Sequence, residues 1–245
     1  MSKLINDQNI AFIVYQMGKV GSSTMTRSLS NMHGRQRVLH IHGHKTAKEC
    51  IEKWRERFDS VIVVTGFREP LSRCISAYFQ NFTVKRSHWF VGQQADVRGK
   101  RVDWLIGDFN AKVVPHLDKT IDPWLANYER TVDCKLAEFT QANGYMQATQ
   151  GNVHCYIYKL EELTEFQQGV SDDQFLSKVE LVNSNVSRNK WYASIYSGFK
   201  KAYRISQMDY DALYGSLDFV QRLYGDHELR DLANNFILDL SSELR

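Results

Sequence analysis

The 245-residue chain is poor in cysteine and proline, with four of the first and three of the second. Cys50, Cys74, Cys134 and Cys155 lie far apart and form no CxxC pair, which argues against a disulfide framework or a zinc knuckle. Reduced, buried thiols are expected instead. Long apolar runs are missing too: a polar stretch from Met1 to Asn9 precedes an apolar run that ends at Tyr15, too short for a signal peptide or an anchor. No integral membrane segment is expected, and the expected location is cytoplasmic. A large excess of one sign of charge is missing too, since a net charge of +3 suits anionic ligands but falls short of what a nucleic-acid binder carries. Repeats, proline-rich linkers and low-complexity tracts are absent. What remains is 43% hydrophobic and 24% charged, a globular composition long enough for one large domain over 1–245.

The order of elements predicts the fold class. Ile10 to Tyr15 reads as a strand buried on both faces, followed by a loop from Gln16 to Gly21 and a helix from Ser22 to Met32. Arg37 to His42 and Ser60 to Thr65 read as further strands, each followed by a helix, Lys45 to Phe58 and Leu71 to Asn81. Strands alternating with helices predict an α/β fold with a central parallel sheet flanked by helices and ligands beyond the carboxyl ends of its strands. The stretch 82–120 loses periodicity and carries Lys85, Arg86, Arg98, Lys100 and Arg101, which predicts an irregular basic insert serving as a lid or substrate wall. Helical patterns resume from Trp124 to Thr140, Asn152 to Leu160 reads as a strand, and the segment from about residue 206 reads as helical and amphipathic.

The loop after the first strand carries the chemistry. Gly18 and Gly21 permit positive φ and close approach, Val20 contributes backbone, Lys19 supplies a point charge, and Ser22, Ser23 and Thr24 add hydroxyl donors. Between a strand and a helix N-terminus these residues suit a phosphate or sulfate group. A solvated turn would use similar residues. A magnesium-dependent nucleoside triphosphatase loop fits less well, because Val20 rather than Ser or Thr follows Lys19 and no glycine stands five residues before Gly18.

The run Lys19-Val20-Gly21-Ser22-Ser23-Thr24 resembles the 5′-phosphosulfate loop of sulfotransferases that use 3′-phosphoadenosine 5′-phosphosulfate. Thr65 to Tyr78, with Arg68, Pro70 and Ser76, is similar to the 3′-phosphate element of that superfamily. Asn189-Lys190-Trp191-Tyr192 looks like the signature of a bacterial family of capsular polysaccharide synthesis proteins named for Asn-Lys-Trp-Tyr-Ser, although Ala193 takes the fifth position. Pro123-Trp124-Leu125 ahead of a helix, and Tyr156 to Leu163, also look like its middle region. The resemblance implies a P-loop-like sulfotransferase fold and a phosphosulfate donor with no metal. It also implies Arg68 and Ser76 as 3′-phosphate ligands and a carbohydrate hydroxyl as acceptor. Lys190, with Asn185, Ser187 and Arg188, is then expected to close over the nucleotide, or else this segment is a capped helix start with Trp191 and Tyr192 in the core. A peripheral association with a membrane-bound glycan assembly system stays open, as does the oligomeric state.

Sulfuryl transfer needs a base for the acceptor proton and positive charge on the leaving phosphate. Lys19 suits the second task. His42 and His44, in His40-Ile41-His42-Gly43-His44 at the end of the second strand, suit the first; some polysaccharide O-sulfotransferases carry a similar His-Gly-His with histidine as base. A metal site is the weaker reading, because a strand spreads alternate histidines widely and no carboxylate or cysteine completes a shell. Histidines hydrogen-bonded at a strand end are a third reading, and His116 is a lesser candidate base. Trp89, Trp104 and Trp124 fit a glycan-stacking wall and fit core or surface equally well. Two other functions compete: a kinase-like phosphoryl-transfer enzyme, which needs magnesium and a strand-end carboxylate where Thr65-Gly66 stands, and a nucleotide-binding module without turnover.

Overall fold

A computed structural model of the chain describes residues 9–81, 101–182, 192–214, 217–233 and 236. In chain order the elements are β1 (Ile10–Tyr15), α1 (Ser22–His33), β2 (Val38–Ile41), α2 (His44–Arg55), β3 (Ser60–Phe67), α3 (Pro70–Asn81), α4 (Val102–Lys112) and α5 (Leu117–Val132). They continue as β4 (Thr140–Ala142), β5 (Tyr145–Gln150), β6 (Val153–Lys159), α6 (Leu163–Gly169), α7 (Ala193–Ala202), α8 (Gln207–Tyr214), α9 (Asp218–Tyr224) and α10 (Asp226–Ala233). The chain divides into two compact units, Met1–Arg68 with Pro123–Asn185, and Glu69–Asp122 with Val186–Arg245.

The first unit holds a six-stranded, mostly parallel sheet in the order β2-β1-β3-β6-β5-β4. β1 pairs in parallel with β2 and β3, and β3 in parallel with β6, whereas β5 pairs antiparallel with β6 and β4 with β5. The antiparallel edge departs from the all-parallel expectation because two tight turns close it. Ala142 faces Tyr145 across Asn143-Gly144, Gln150 faces Val153 across Gly151-Asn152, and both glycines have positive φ, at 77° and 61°. β1 is buried along its whole length, as its unbroken apolar run requires of a strand covered on both sides.

Alternate residues serve the two faces. Phe12, Val14, Ile62, Val64, Tyr156 and Tyr158 pack with Met25 and Leu29 of α1, Phe166 of α6 and the segment Phe175 to Val179 in one apolar cluster. Tyr15 points the other way and stacks on Tyr128 of α5, with Trp124 beside both. Helical structure begins earlier than the sequence suggests: α5 starts at Leu117, so Pro123 sits inside the helix rather than ahead of it. It also stops earlier, at Val132, because Asp133 adopts a left-handed conformation (φ 55°) and Cys134 N–H turns back to the Glu129 carbonyl.

The second unit is helical among its described residues. Tyr78 and Phe79 of α3, Phe109 of α4 and Tyr196, Phe199 and Tyr203 on or next to α7 form an aromatic core with edge-to-face contacts as short as 5.1 Å. The expected irregular insert lies partly in 82–100, outside the described residues; its remainder contains α4, whose Leu105 and Phe109, four apart, are fully buried. Beyond residue 206 the described residues form α8, α9 and α10, in keeping with the amphipathic pattern there.

Candidate functional site

Four strands run parallel, so the segments following β1, β2, β3 and β6 leave the same edge of the sheet. The Lys19 loop, His42, Arg68 and Glu161 are all brought to this edge in the first unit. The sheet order reverses here, as β1 leads outward to β2 and the chain then returns to pair β3 on the far side of β1. Such reversals open a crevice at the carboxyl ends of the strands.

The loop has an unusual backbone. Gly18, Lys19 and Gly21 all have positive φ, at 88°, 66° and 78°. A left-handed lysine is disfavoured by roughly 1–2 kcal/mol, so the surrounding structure must hold it there. Three contacts do so from below. The Tyr158 hydroxyl donates to the Val20 carbonyl at 3.3 Å, Val20 is buried, and a Cβ at Gly66 would lie 2.5 Å from that same carbonyl oxygen. Leu160 packs against Gly21, where a Cβ would meet its Cδ1 at 2.6 Å. Around Gly18, by contrast, a Cβ would meet nothing within 4 Å among the described residues, so among them the loop is braced beneath and open at its tip.

The N-terminus of α1 has no side-chain cap. Gly21 occupies the N-cap with no side chain to bond the first amides, and the first turn holds no acidic residue. Ser22 is half-buried, Ser23 exposed and Thr24 buried there. Gln16, the first residue of the loop, is fully buried.

β2 ends at Ile41, so His42 stands just beyond the strand rather than within it. Its Nδ1 lies 3.0 Å from the carbonyl oxygen of Gln16, which ties the histidine segment to the start of the Lys19 loop. The His40 ring is 4.5 Å from that of His42, and burial, aided by the His42 charge, pushes its pKa below the usual histidine value. His44 is the exposed first residue of α2. Arg68, half-buried at the end of β3, has its Nε 4.0 Å from Glu161 Oε1.

The chain was compared with protein-family models, with curated proteins and with solved structures, and it matches none of them.

The remaining sequence candidates belong to other elements or fall outside what is described. Ser76 is a half-buried residue of α3, in the second unit. Lys190, Asn185, Ser187, Arg188, Trp191 and Trp89 lie outside the described residues. Tyr192 is buried against Phe79 and Tyr196, as the core reading of that segment expects. Trp124 belongs to the Tyr15 cluster, Trp104 is exposed on α4, and His116 is exposed just before α5. Among the described residues no cluster of three or more histidine, cysteine, aspartate or glutamate side chains is placed to hold a metal ion, and no helix is long and apolar enough to cross a membrane. Reading the sequence passed over Gln16, Gly66 and Tyr158. Gly66 had a signal, since an isolated glycine in a β-branched strand marks close approach of another backbone.

Proposed function

We propose that the chain is a sulfotransferase of P-loop-like architecture that moves a sulfuryl group from 3′-phosphoadenosine 5′-phosphosulfate to a hydroxyl of a carbohydrate or polysaccharide. The observation that carries this reading is the braced loop Gly18 to Gly21, whose left-handed residues lead into an uncapped, acid-free helix start with Lys19 at its centre. Backbone amides, a lysine and the hydroxyls of Ser22, Ser23 and Thr24 are the donor set a sulfated phosphate requires. Arg68 at the end of the third strand and Ser76 on the following helix supply the donors that the motif resemblance assigns to the 3′-phosphate.

The donor molecule brings the activated sulfuryl group. The acceptor oxygen forms a bond to sulfur while the bond from sulfur to the bridging phosphate oxygen breaks, and the acceptor proton passes to an imidazole. Lys19 holds the negative charge that develops on the leaving phosphate. His42 is the better placed base, because it is fastened to the loop through Gln16, whereas His44 stands two residues further on at a helix start.

The test is calorimetric titration with 3′-phosphoadenosine 5′-phosphate in the absence of magnesium, beside adenosine 5′-phosphate and ATP. Micromolar binding that requires the 3′-phosphate and is lost in Arg68→Ala is the expected result. A magnesium-dependent preference for ATP would replace this reading with phosphoryl transfer. Transfer assays on His42→Ala and His44→Ala then identify the base: the rate should fall with donor affinity retained, and full activity in both would remove histidine from the mechanism.

A further inference from the structure

β1 and β2 stay joined for one residue beyond their last paired strand positions. The Gln16 N–H donates to the Ile41 carbonyl at 3.2 Å, which continues the parallel register in which Tyr15 stands opposite Ile41. The next rung of such a ladder would run from the Gly43 amide to the Gln16 carbonyl. With β2 ending at Ile41, that carbonyl lies 3.0 Å from Nδ1 of the His42 side chain, and the imidazole takes the place of the rung.

A carbonyl oxygen has no proton to give, so this bond fixes the ring. Nδ1 carries the hydrogen, and in the neutral imidazole Nε2 carries the lone pair. Gln16 is fully buried and His42 exposed, so the tied edge of the ring is its inner one. His40 stands T-shaped to the same ring at 4.5 Å and gives it a second support. Gln16 is anchored in turn: its carboxamide lies at the Tyr158 hydroxyl, the group that donates to the Val20 carbonyl at 3.3 Å. One buried residue thus meets the histidine through its backbone and the brace of the Lys19 loop through its side chain.

We infer that Gln16 is the positioning residue of the base: its carbonyl holds His42 in the Nδ1–H tautomer, so that Nε2 is the atom that takes the acceptor proton. That the proton comes from an acceptor hydroxyl rests on the sulfotransferase reading. As the acceptor O–H bond breaks and Nε2 gains the hydrogen, the ring becomes an imidazolium, and its Nδ1–H bond to the Gln16 carbonyl becomes charge-assisted and roughly twice as strong. The proton then leaves Nε2 for solvent and the neutral tautomer returns.

Ring-nitrogen NMR of the histidines in wild type, at a pH where His42 is neutral and with its signals assigned by their absence in His42→Gln, reads the tautomer without any assay of transfer. Nδ1–H is the expected form; Nε2–H, or an even mixture, overturns the proposal. Incorporating the α-hydroxy acid counterpart of Met17 turns the amide after Gln16 into an ester, which weakens that carbonyl as an acceptor and leaves every side chain in place. The Nε2–H population of His42 should rise, and kcat at saturating donor should fall roughly tenfold, a part of the roughly 10²- to 10⁴-fold that a positioned base contributes. A folded ester form with unchanged tautomer and unchanged kcat overturns the role of Gln16, and should the ester form fail to fold, the wild-type spectrum decides. If wild type transfers no sulfuryl group, the sulfotransferase reading fails separately: Nδ1–H in the spectrum then supports His42 Nε2 as a base held by Gln16 for another transfer, and Nε2–H overturns that too.

Discussion

The α-carbon of Gly66 lies directly beneath the carbonyl of Val20, so near that a Cβ on it would come within 2.5 Å of the oxygen and 2.7 Å of the Tyr158 hydroxyl. The third strand thus sets the height of the Lys19 loop. A methyl group here has no flexible neighbour to displace, since one contact is backbone and the other a buried ring held in the sheet. Gly66→Ala should cost about 1–3 kcal/mol of stability, the range for overpacking a filled site. It should also weaken anion binding more than its effect on folding explains. Denaturant titration beside calorimetry separates the two, and unchanged binding in a destabilised variant would show that the loop does not rest on β3.

Lys19 joins charge and backbone conformation in one residue, and a substitution can part them. Lys19→Gly removes the ammonium but keeps a residue at ease with φ 66°. Relief of the left-handed penalty and the added freedom of glycine oppose each other, so stability should stay within about 1 kcal/mol of wild type. Donor binding or transfer should nevertheless fall at least tenfold. Retained transfer in a folded Lys19→Gly would remove the lysine from the proposed chemistry.

Most of what positions this site was legible in the residues. The apolar run at Ile10–Tyr15 marked a doubly covered strand, and the glycines flanking Lys19 marked a turn with positive φ. The antiparallel edge was legible too, because Asn143-Gly144 is a two-residue hairpin signal, but the run it joins is short and polar and reads as the tail of a helix. The bracing of the loop was not. Tyr158 and Val20 are 138 residues apart, and no local pattern tells a buried tyrosine that supports a carbonyl from one that fills a core.

Stability should depend on pH through His33, His40 and His154. Burial lowers the pKa of His33, helped by the charge of Arg37; it lowers that of His40, helped by His42; and it lowers that of His154 against the opposing pull of Asp173. All three favour the neutral form in the folded state, so the unfolded chain binds more protons as pH falls through about 6.5. Their contribution is therefore complete above that value and is lost progressively below it. Denaturation midpoints measured from pH 7.5 down to pH 5 should fall, and the slope should flatten in His33→Gln and His40→Gln. An identical slope in both variants would assign the acid sensitivity to other groups.

The start of α3 rests on a buried carboxylate. Glu69 is 1% exposed, bonds the amides of Leu71 and Ser72 and receives the Tyr214 hydroxyl, which joins the first turn of α3 to the last turn of α8. Hydrogen bonds to a charged group contribute roughly 1.5–3 kcal/mol each. Glu69→Gln keeps the shape but loses the charge and one acceptor, so it should destabilise the fold by about that amount, and Glu69→Ala by more. Tyr214→Phe removes the hydroxyl alone. If the two side chains act as one unit, the double variant Glu69→Gln, Tyr214→Phe should be less destabilised than the sum of the single changes, by at least about 0.5 kcal/mol. Strict additivity in denaturant titrations would mean that α8 is held to α3 by its apolar contacts and that Glu69 serves only as the cap of its own helix.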